Sequence, residues 1–289
     1  MKFKHNIIAI CYDFDGTLSR RSMQEDTIFS EYGINRKLFW DKVNRIAKTQ
    51  EYDKVLAYLN MLIYDKTFRA NPLTEKKLGA MANRIEYFPG VESFFPYIND
   101  FIRRHTKDMN VNIKLEHYII SSGMKAILNG VSIRKYFKQI YACDYEYEKD
   151  GSPKCVKLAI TDTTKTQFLF RVSKGKLELN QDINKHMDPS QRRIPFANMI
   201  YVGDGDSDIP SMTVTVKYGG YAVAVYPPGQ RASKKCIEML HEKRTNHIAP
   251  ADFRVGSELT GVIETILKTI VQKIIFNHSV FTQKQKYSK

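Results

Sequence analysis

The sequence predicts an α/β fold, a Rossmann-like open parallel sheet core with helices on both faces and a small all-helical insertion after the first strand. Three observations predict it. Apolar runs of strand length alternate with stretches of helical spacing, the pattern of a parallel sheet covered on both faces. Three of those runs end in polar or acidic clusters, as strands do when their carboxyl ends open onto a site. One long interval, residues 20–87, has helical spacing and no strand-like alternation.

The elements follow in order. Residues 6–12 (NIIAICY) form a first buried strand, ending in Asp13-Phe14-Asp15-Gly16-Thr17. In the helical interval, Phe39, Val43 and Ile46 share one face, as do Val55, Leu59 and Leu62, and then Leu78, Met81 and Ile85. Thr74 is placed to cap the last of these helices. Phe88-Pro89-Gly90-Val91 closes the interval, and a helix carries Phe94, Phe95, Ile98 and Ile102. His117–Ile120 is a second strand, ending in Ser121-Ser122-Gly123, with a helix over about 124–136 after it. Residues 139–160 read as a hairpin turning at Lys149-Asp150-Gly151. A helix starts near Thr164, and residues 180–196 are a polar loop. Asn198–Val202 is a third buried strand, leading into Gly203-Asp204-Gly205-Asp206-Ser207-Asp208. Gly220–Tyr226 is a fourth, and Ile263, Ile266, Leu267, Ile270 and Ile274 mark a late helix. The last dozen residues, with Lys284, Lys286 and Lys289, read as frayed. The organisation implied is a core of residues 1–19 and 88–289 with a helical unit over 20–87.

Composition narrows the classes of function. The chain has 289 residues, of which 43% are hydrophobic and 26% charged, so collagenous and wholly disordered chains are excluded. No apolar run is long enough for a membrane span, and the apolar start runs directly into acidic residues, so it reads as a strand and not as a signal peptide. The net charge of +14 favours an anionic partner. The four cysteines, Cys11, Cys143, Cys155 and Cys236, form no C-x-x-C pair. A reduced, cytoplasmic chain is expected. The seven histidines show no metal-ligand spacing, which argues against zinc.

The chemistry sits in the three clusters. Side chains alternate along a strand, so Asp13 and Asp15 emerge on the same side if the extended geometry persists. Two carboxylates that close repel, and a divalent cation or a shared proton relieves the repulsion. Gly123 lets backbone approach a ligand closely. Asp204, Asp206 and Asp208 on a glycine-rich loop suit a hard cation, which takes oxygen ligands; Asp206 reads as a surface residue.

In this order, Asp13-x-Asp15-Gly-Thr-Leu, an apolar strand ending in Ser121-x-Gly, a downstream lysine and Gly-Asp204-Gly-x-Ser-Asp208 resemble the four motifs of the haloacid dehalogenase-like hydrolases. The resemblance covers nearly the whole chain and is strongest to the phosphoserine-phosphatase-like branch. It implies a Mg2+-dependent phosphatase with a helical cap over the site. Asp13 would be the nucleophile and Asp15 the general acid and base. Asp13, Asp15 (through its backbone carbonyl) and Asp204 would hold magnesium, with Asp208 beside them orienting the lysine or a metal-bound water. Ser121 would bind a phosphoryl oxygen, with Ser122 as its rival, and Thr17, Ser122 and Gly123 would line the phosphate side. Arg20 and Arg21 follow the first motif closely enough to touch substrate.

Lys165 is the choice for the phosphate-binding lysine over Lys154, Lys157 and Lys174. Thr163 and Thr164 are placed to cap its helix, which puts Lys165 in the first turn near the strand ends. Lys174 would lie over two turns further on. The interval from Lys165 to Asp204 is longer than the family's commoner spacing, and an inserted loop at 180–196 accounts for the excess. Asp15 argues against dehalogenation, which has no oxygen leaving group to protonate. The branch carries an acidic cap residue nine positions after the nucleophile, where this chain has Ser22, so phosphoserine is disfavoured as substrate. The expected partner is a small phosphorylated metabolite, with no membrane. Two other readings stay open: a phosphatase of nucleotides or nucleic-acid ends, and a non-catalytic nucleic-acid-binding protein on this fold. No nucleic-acid-binding signature supports the latter.

Overall fold

The computed structural model describes residues 3–288. Seven strands form one sheet in the order β4-β3-β2-β1-β5-β6-β7. They are β1 (Ile7–Tyr12), β2 (Lys114–Met124), β3 (Phe137–Tyr147), β4 (Pro153–Leu158), β5 (Met199–Gly203), β6 (Tyr221–Tyr226) and β7 (His247–Pro250). All neighbours run parallel except β4, which pairs antiparallel with β3. β1 is apolar along its length and buried from Ile8 onward, as a central parallel strand covered on both faces must be.

The helices are α1 (Ser30–Tyr32), α2 (Arg36–Thr49), α3 (Lys54–Tyr64), α4 (Lys66–Ala70), α5 (Glu75–Ala80), α6 (Val91–Thr106), α7 (Lys125–Gly130), α8 (Lys165–Lys174), α9 (Ile209–Lys217), α10 (Lys234–His241) and α11 (Glu258–Tyr287). Tyr12, Ile119 and Ile140 lie side by side in register, so their side chains share a face, and Tyr141 points to the other. Tyr12 packs edge-on against Phe95 of α6, which also contacts α11. Tyr141 stacks on Phe168 of α8. The sheet is thus covered on both faces.

Between β1 and β2 the chain makes only helices and turns up to Arg84. Their caps are local. Asn35 accepts the Leu38 N–H, Asp53 accepts those of Val55 and Leu56, and Thr74 accepts that of Lys77. The segment leaves and rejoins the sheet at a narrow neck. There Arg20 N–H donates to Glu86 O, Phe88 N–H donates to Leu18 O, and the Arg21 guanidinium pairs with Asp26 and Glu86.

Several elements differ from the sequence reading. The second strand is longer, Lys114–Met124, and its pairing with β3 shifts between Ile120 and Met124, where Ser121-Ser122-Gly123 lies. The helix expected over 124–136 stops at Gly130 and gives way to a 3-10 turn at Arg134–Tyr136. Thr164 does not cap α8 with its side chain; its hydroxyl instead accepts the Thr161 N–H and donates to the Thr161 carbonyl. α9, α10 and β7 were not foreseen. The last dozen residues, read as frayed, continue α11 as far as Tyr287, and Phe3 packs against His278 and Phe281 along it.

Candidate active site

β1 has β2 on one side and β5 on the other, so the carboxyl end of β1 is the switch in strand order, where open α/β sheets form their crevice. Asp13 leaves β1 at that point, its N–H bonded to the Val202 carbonyl of β5 at 2.9 Å. Asp204 leaves β5 beside it. Ser121 sits at the matching end of β2, and Lys165 opens α8. Two glycines make the approach possible. Gly16 has φ +77°, and a Cβ there would lie 2.3 Å from Asp204 Oδ2. A Cβ on Gly203 would lie 2.5 Å from Asp208 Oδ2.

Lys165 is buried at the centre of this arrangement, 1% exposed. Its Nζ donates to Asp13 Oδ1 at 2.9 Å, Asp208 Oδ1 at 2.8 Å and Ser207 Oγ at 2.9 Å, which uses all three of its protons. Asp208, also fully buried, accepts from Tyr201 OH on Oδ1, and from the backbone N–H groups of Asp204 and Gly205 on Oδ2. Both of its oxygens are therefore engaged in holding the loop and the lysine.

Asp13, Asp204 and Asp208 bring carboxylate oxygens within 4.8 Å of one another. Three carboxylates face one ammonium, and the imbalance shows in their proton affinities. Burial and then the Asp208 charge push Asp13 up to about 7, against the pull of Lys165. Burial, then Asp13 and Asp208, raise Asp204 well above the usual carboxylate range. Burial works against the Lys165 ammonium, but the two aspartates outweigh it and its pKa rises. Asp208 is fully engaged, so Asp13 and Asp204 are the carboxylates with capacity for a cation, and their mutual repulsion fits one.

Asp15 lies beside this cluster. Met23 N–H donates to its Oδ1 at 2.8 Å and Ser19 Oγ donates to the same oxygen at 3.4 Å. Burial, then the Asp13 charge, raise its pKa well above the ordinary value. The carboxyl is therefore held toward its protonated form.

The remaining predicted residues divide. Ser121 is buried and its Oγ accepts the Gly123 N–H at 3.0 Å. Ser122 Oγ is buried with no hydrogen-bond partner, while its carbonyl accepts from Tyr58 OH and from Cys143 Sγ. Thr17 is fully buried and donates to Asp204 Oδ1, linking the first and last clusters. Arg20 and Arg21 are engaged at the neck. Arg20 Nε donates to Tyr87 O, and Arg21 is paired with Asp26 and Glu86. Asp206 is exposed and paired with Lys235. Lys154 pairs with Glu146, and Lys174 donates to the carbonyls of Ile183 and Lys185, so neither reaches the carboxylates.

Sequence reasoning missed Tyr201, Ser207, Met23 and Tyr58. Ser207 stands inside the last motif and Tyr201 inside the strand before it, so both were within reach. Met23 and Tyr58 touch the site from the helical segment, and no local pattern marks them. A surface cavity of about 610 Å3 lies beside Arg103, Thr106 and Asn112, at the amino-terminal end of the sheet.

No protein-family model matches the chain. An uncharacterized protein of Borreliella burgdorferi is 27% identical over 283 residues, covering 90% of this chain and 96% of that one. Among solved structures, a HAD-family hydrolase of Salmonella enterica serovar Typhi aligns with TM-score 0.55 at 16% identity, over 85% of this chain and 67% of that chain. Phosphoserine phosphatase with an analogue of its phospho-aspartyl intermediate aligns with TM-score 0.55 at 16% identity, over 90% of this chain and 99% of that one. A substrate-bound phosphoserine phosphatase aligns with TM-score 0.54, also at 16% identity, over 89% and 97%. The chain shares the fold of these hydrolase and phosphatase structures.

Proposed function

We propose that this chain is a magnesium-dependent phosphomonoesterase acting on a small phosphorylated metabolite through an aspartyl-phosphate on Asp13. One observation carries the reading. A buried lysine bridges Asp13 and Asp208 where Asp13 and Asp204 face each other at the switch in strand order. The shared fold supports it.

Asp13 supplies the nucleophilic oxygen. A bond forms from that oxygen to phosphorus as the bond from phosphorus to the leaving oxygen breaks. Asp15, protonated by virtue of its burial and its charged neighbour, gives its proton to the leaving oxygen. Met23 N–H and Ser19 hold Oδ1 of Asp15, which leaves Oδ2 to carry that proton. In the second half Asp15 takes a proton from water, the water oxygen bonds to phosphorus, and Asp13 leaves as carboxylate with release of orthophosphate. Lys165 keeps Asp13 oriented and offsets charge on the phosphoryl oxygens, and Asp208 fixes the lysine. Asp13 and Asp204, with the Asp15 carbonyl, would hold magnesium. The ion would supply positive charge against the repulsion between the nucleophile and an anionic substrate.

Residues 20–87 serve as a cap over the core of 1–19 and 88–289. The neck at residues 18–21 and 86–88 supports that division, and so do Met23 and Tyr58, which reach Asp15 and Ser122 from the helical side. Core motifs recognise only the phosphoryl group and the metal, so the cap selects the substrate. The +14 charge extends the candidates to nucleotides and nucleic-acid ends.

The test is a hydrolysis screen over phosphorylated metabolites, nucleotides and a generic aryl phosphate, with magnesium and with excess chelator. Orthophosphate release that needs magnesium is expected. Release undiminished after complete metal removal overturns the metal assignment. No release from any substrate by folded, magnesium-loaded protein overturns the reading in favour of a non-catalytic protein.

A further inference from the structure

We propose that Tyr58 is a positioning residue, one that couples closure of the helical cap to the geometry of the segment Ser121-Ser122-Gly123. The inference rests on the phosphatase reading above, because it assigns that segment to the phosphoryl group.

Tyr58 lies in α3, is 5% exposed, and donates from its hydroxyl to the Ser122 carbonyl at 2.5 Å. This contact joins residues 64 positions apart, from the cap to a sheet strand. Ser122 sits where the β2–β3 pairing shifts, so the ladder does not fix the carbonyl by regular pairing. The Cys143 thiol also donates to it, at 3.3 Å. Burial pushes that thiol up to about 11, so it stays a neutral and weak donor. Of these two side-chain donors Tyr58 is the stronger, and it orients the Ser122 peptide. Rotation of that peptide reorients the N–H of Gly123, whose partner is Ser121 Oγ.

The contact is supported on both sides. Trp40 packs edge-on against Tyr58, and Phe29 and Phe39 pack around Trp40, so the ring has little freedom within the cap. Across the segment, Met23 Sδ accepts the Met124 N–H at 3.1 Å while Met23 N–H donates to Asp15. The first turn of the cap and α3 thus grip residues 121–124 from two directions. An open cap would release the Ser122 carbonyl, and the segment would lose the donor that aligns it. Cap closure then aligns the phosphoryl-binding segment as well as excluding water.

A second tyrosine provides the control. Tyr145 OH donates to Leu59 O at 2.9 Å, also joining the sheet to α3, and its hydroxyl bonds that carbonyl and not residues 121–124. Tyr58→Phe and Tyr145→Phe each remove one cap-to-sheet hydrogen bond and keep the ring. The full chain is assayed for kcat and KM on the best substrate of the screen. Orthophosphate binding with magnesium is measured by calorimetry, which reads the phosphoryl site without turnover. Tyr58→Phe is expected to lower kcat about tenfold and weaken orthophosphate binding about tenfold, with KM changing less. Tyr145→Phe is expected to stay within about twofold of the parent in all three. If Tyr58→Phe stays within about twofold in both readouts, or if Tyr145→Phe loses as much, the coupling is wrong and the contact only packs the cap. A parent protein that neither binds orthophosphate nor hydrolyses any phosphate ester overturns the phosphatase reading, and this inference with it.

Discussion

Lys165 in the first turn of α8 and Arg171 in its last turn are both buried cations on one helix, and they meet different partners. Lys165 faces Asp13 and Asp208, with Asp204 alongside, so negative charge is left in excess. Arg171 faces carbonyls. Its Nη1 donates to Lys176, Glu178 and Gln181, and its Nη2 to Leu179. Lys174 adds the carbonyls of Ile183 and Lys185. The polar loop after α8, which periodicity reads as structureless, is thus wrapped around two cations at the end of the helix. Carbonyl dipoles take up both terminal nitrogens of Arg171 and bring no negative charge in excess to that end. The carboxylates around Lys165 are incomplete without more positive charge. Two buried cations on one helix are told apart by the charge balance of their partners, not by their burial.

The largest effect is expected at Lys165. Lys165→Met leaves Asp13 without its cation and should lower kcat/KM about 10^3-fold in steady-state assays of the folded protein. Arg171→Met should leave kcat/KM within about twofold while lowering stability by about 2–3 kcal/mol in urea denaturation. If the two substitutions lose activity equally, the division of α8 into a chemical and a structural end is wrong.

A smaller effect sharpens the same contrast. Asp13, Asp15 and Asp204 all have pKa values raised in the folded protein. Between the ordinary carboxylate range and neutrality the folded state therefore holds protons that the unfolded chain has released. Their contribution to stability is full below the ordinary carboxylate pKa and is lost as pH rises through the folded values, about 7 for Asp13. Magnesium opposes that loss, so its stabilisation in thermal melts of chelator-stripped protein should be larger near pH 8 than near pH 5. An equal magnesium effect at both would contradict the assignment of the ion to these carboxylates.

The central strands and the acidic segments that follow them were readable because each lies in a short stretch of chain. A continuous apolar run makes β1, and the residues that leave β1 and β5 follow those strands directly. Lys165 was readable from its place at the start of a helix, although Thr164 does not cap that helix as expected. What escaped depends on distant contacts. α9 contains Thr213, Val214, Thr215 and Val216, β-branched residues that favour strands, and it is helical because it packs on β5 and β6. β7 has only four residues, too few for alternation to show. The end of α11 has no strong apolar stripe, and its contact with Phe3 spans the whole chain. Arg20 and Arg21 were assigned by proximity in sequence. Their partners, Tyr87, Asp26 and Glu86, come mostly from the far side of the helical segment.

On the proposed phosphatase reading, Asp13 carries the phosphoryl group between the two half-reactions. Acid-quenched turnover followed by peptide mass spectrometry tests it directly. One phosphoryl group is expected on the peptide containing Asp13, labile to hydroxylamine as an acyl phosphate is, and absent in Asp13→Asn together with turnover. Turnover that persists in Asp13→Asn, or a phosphoryl group on any other residue during turnover, would contradict it.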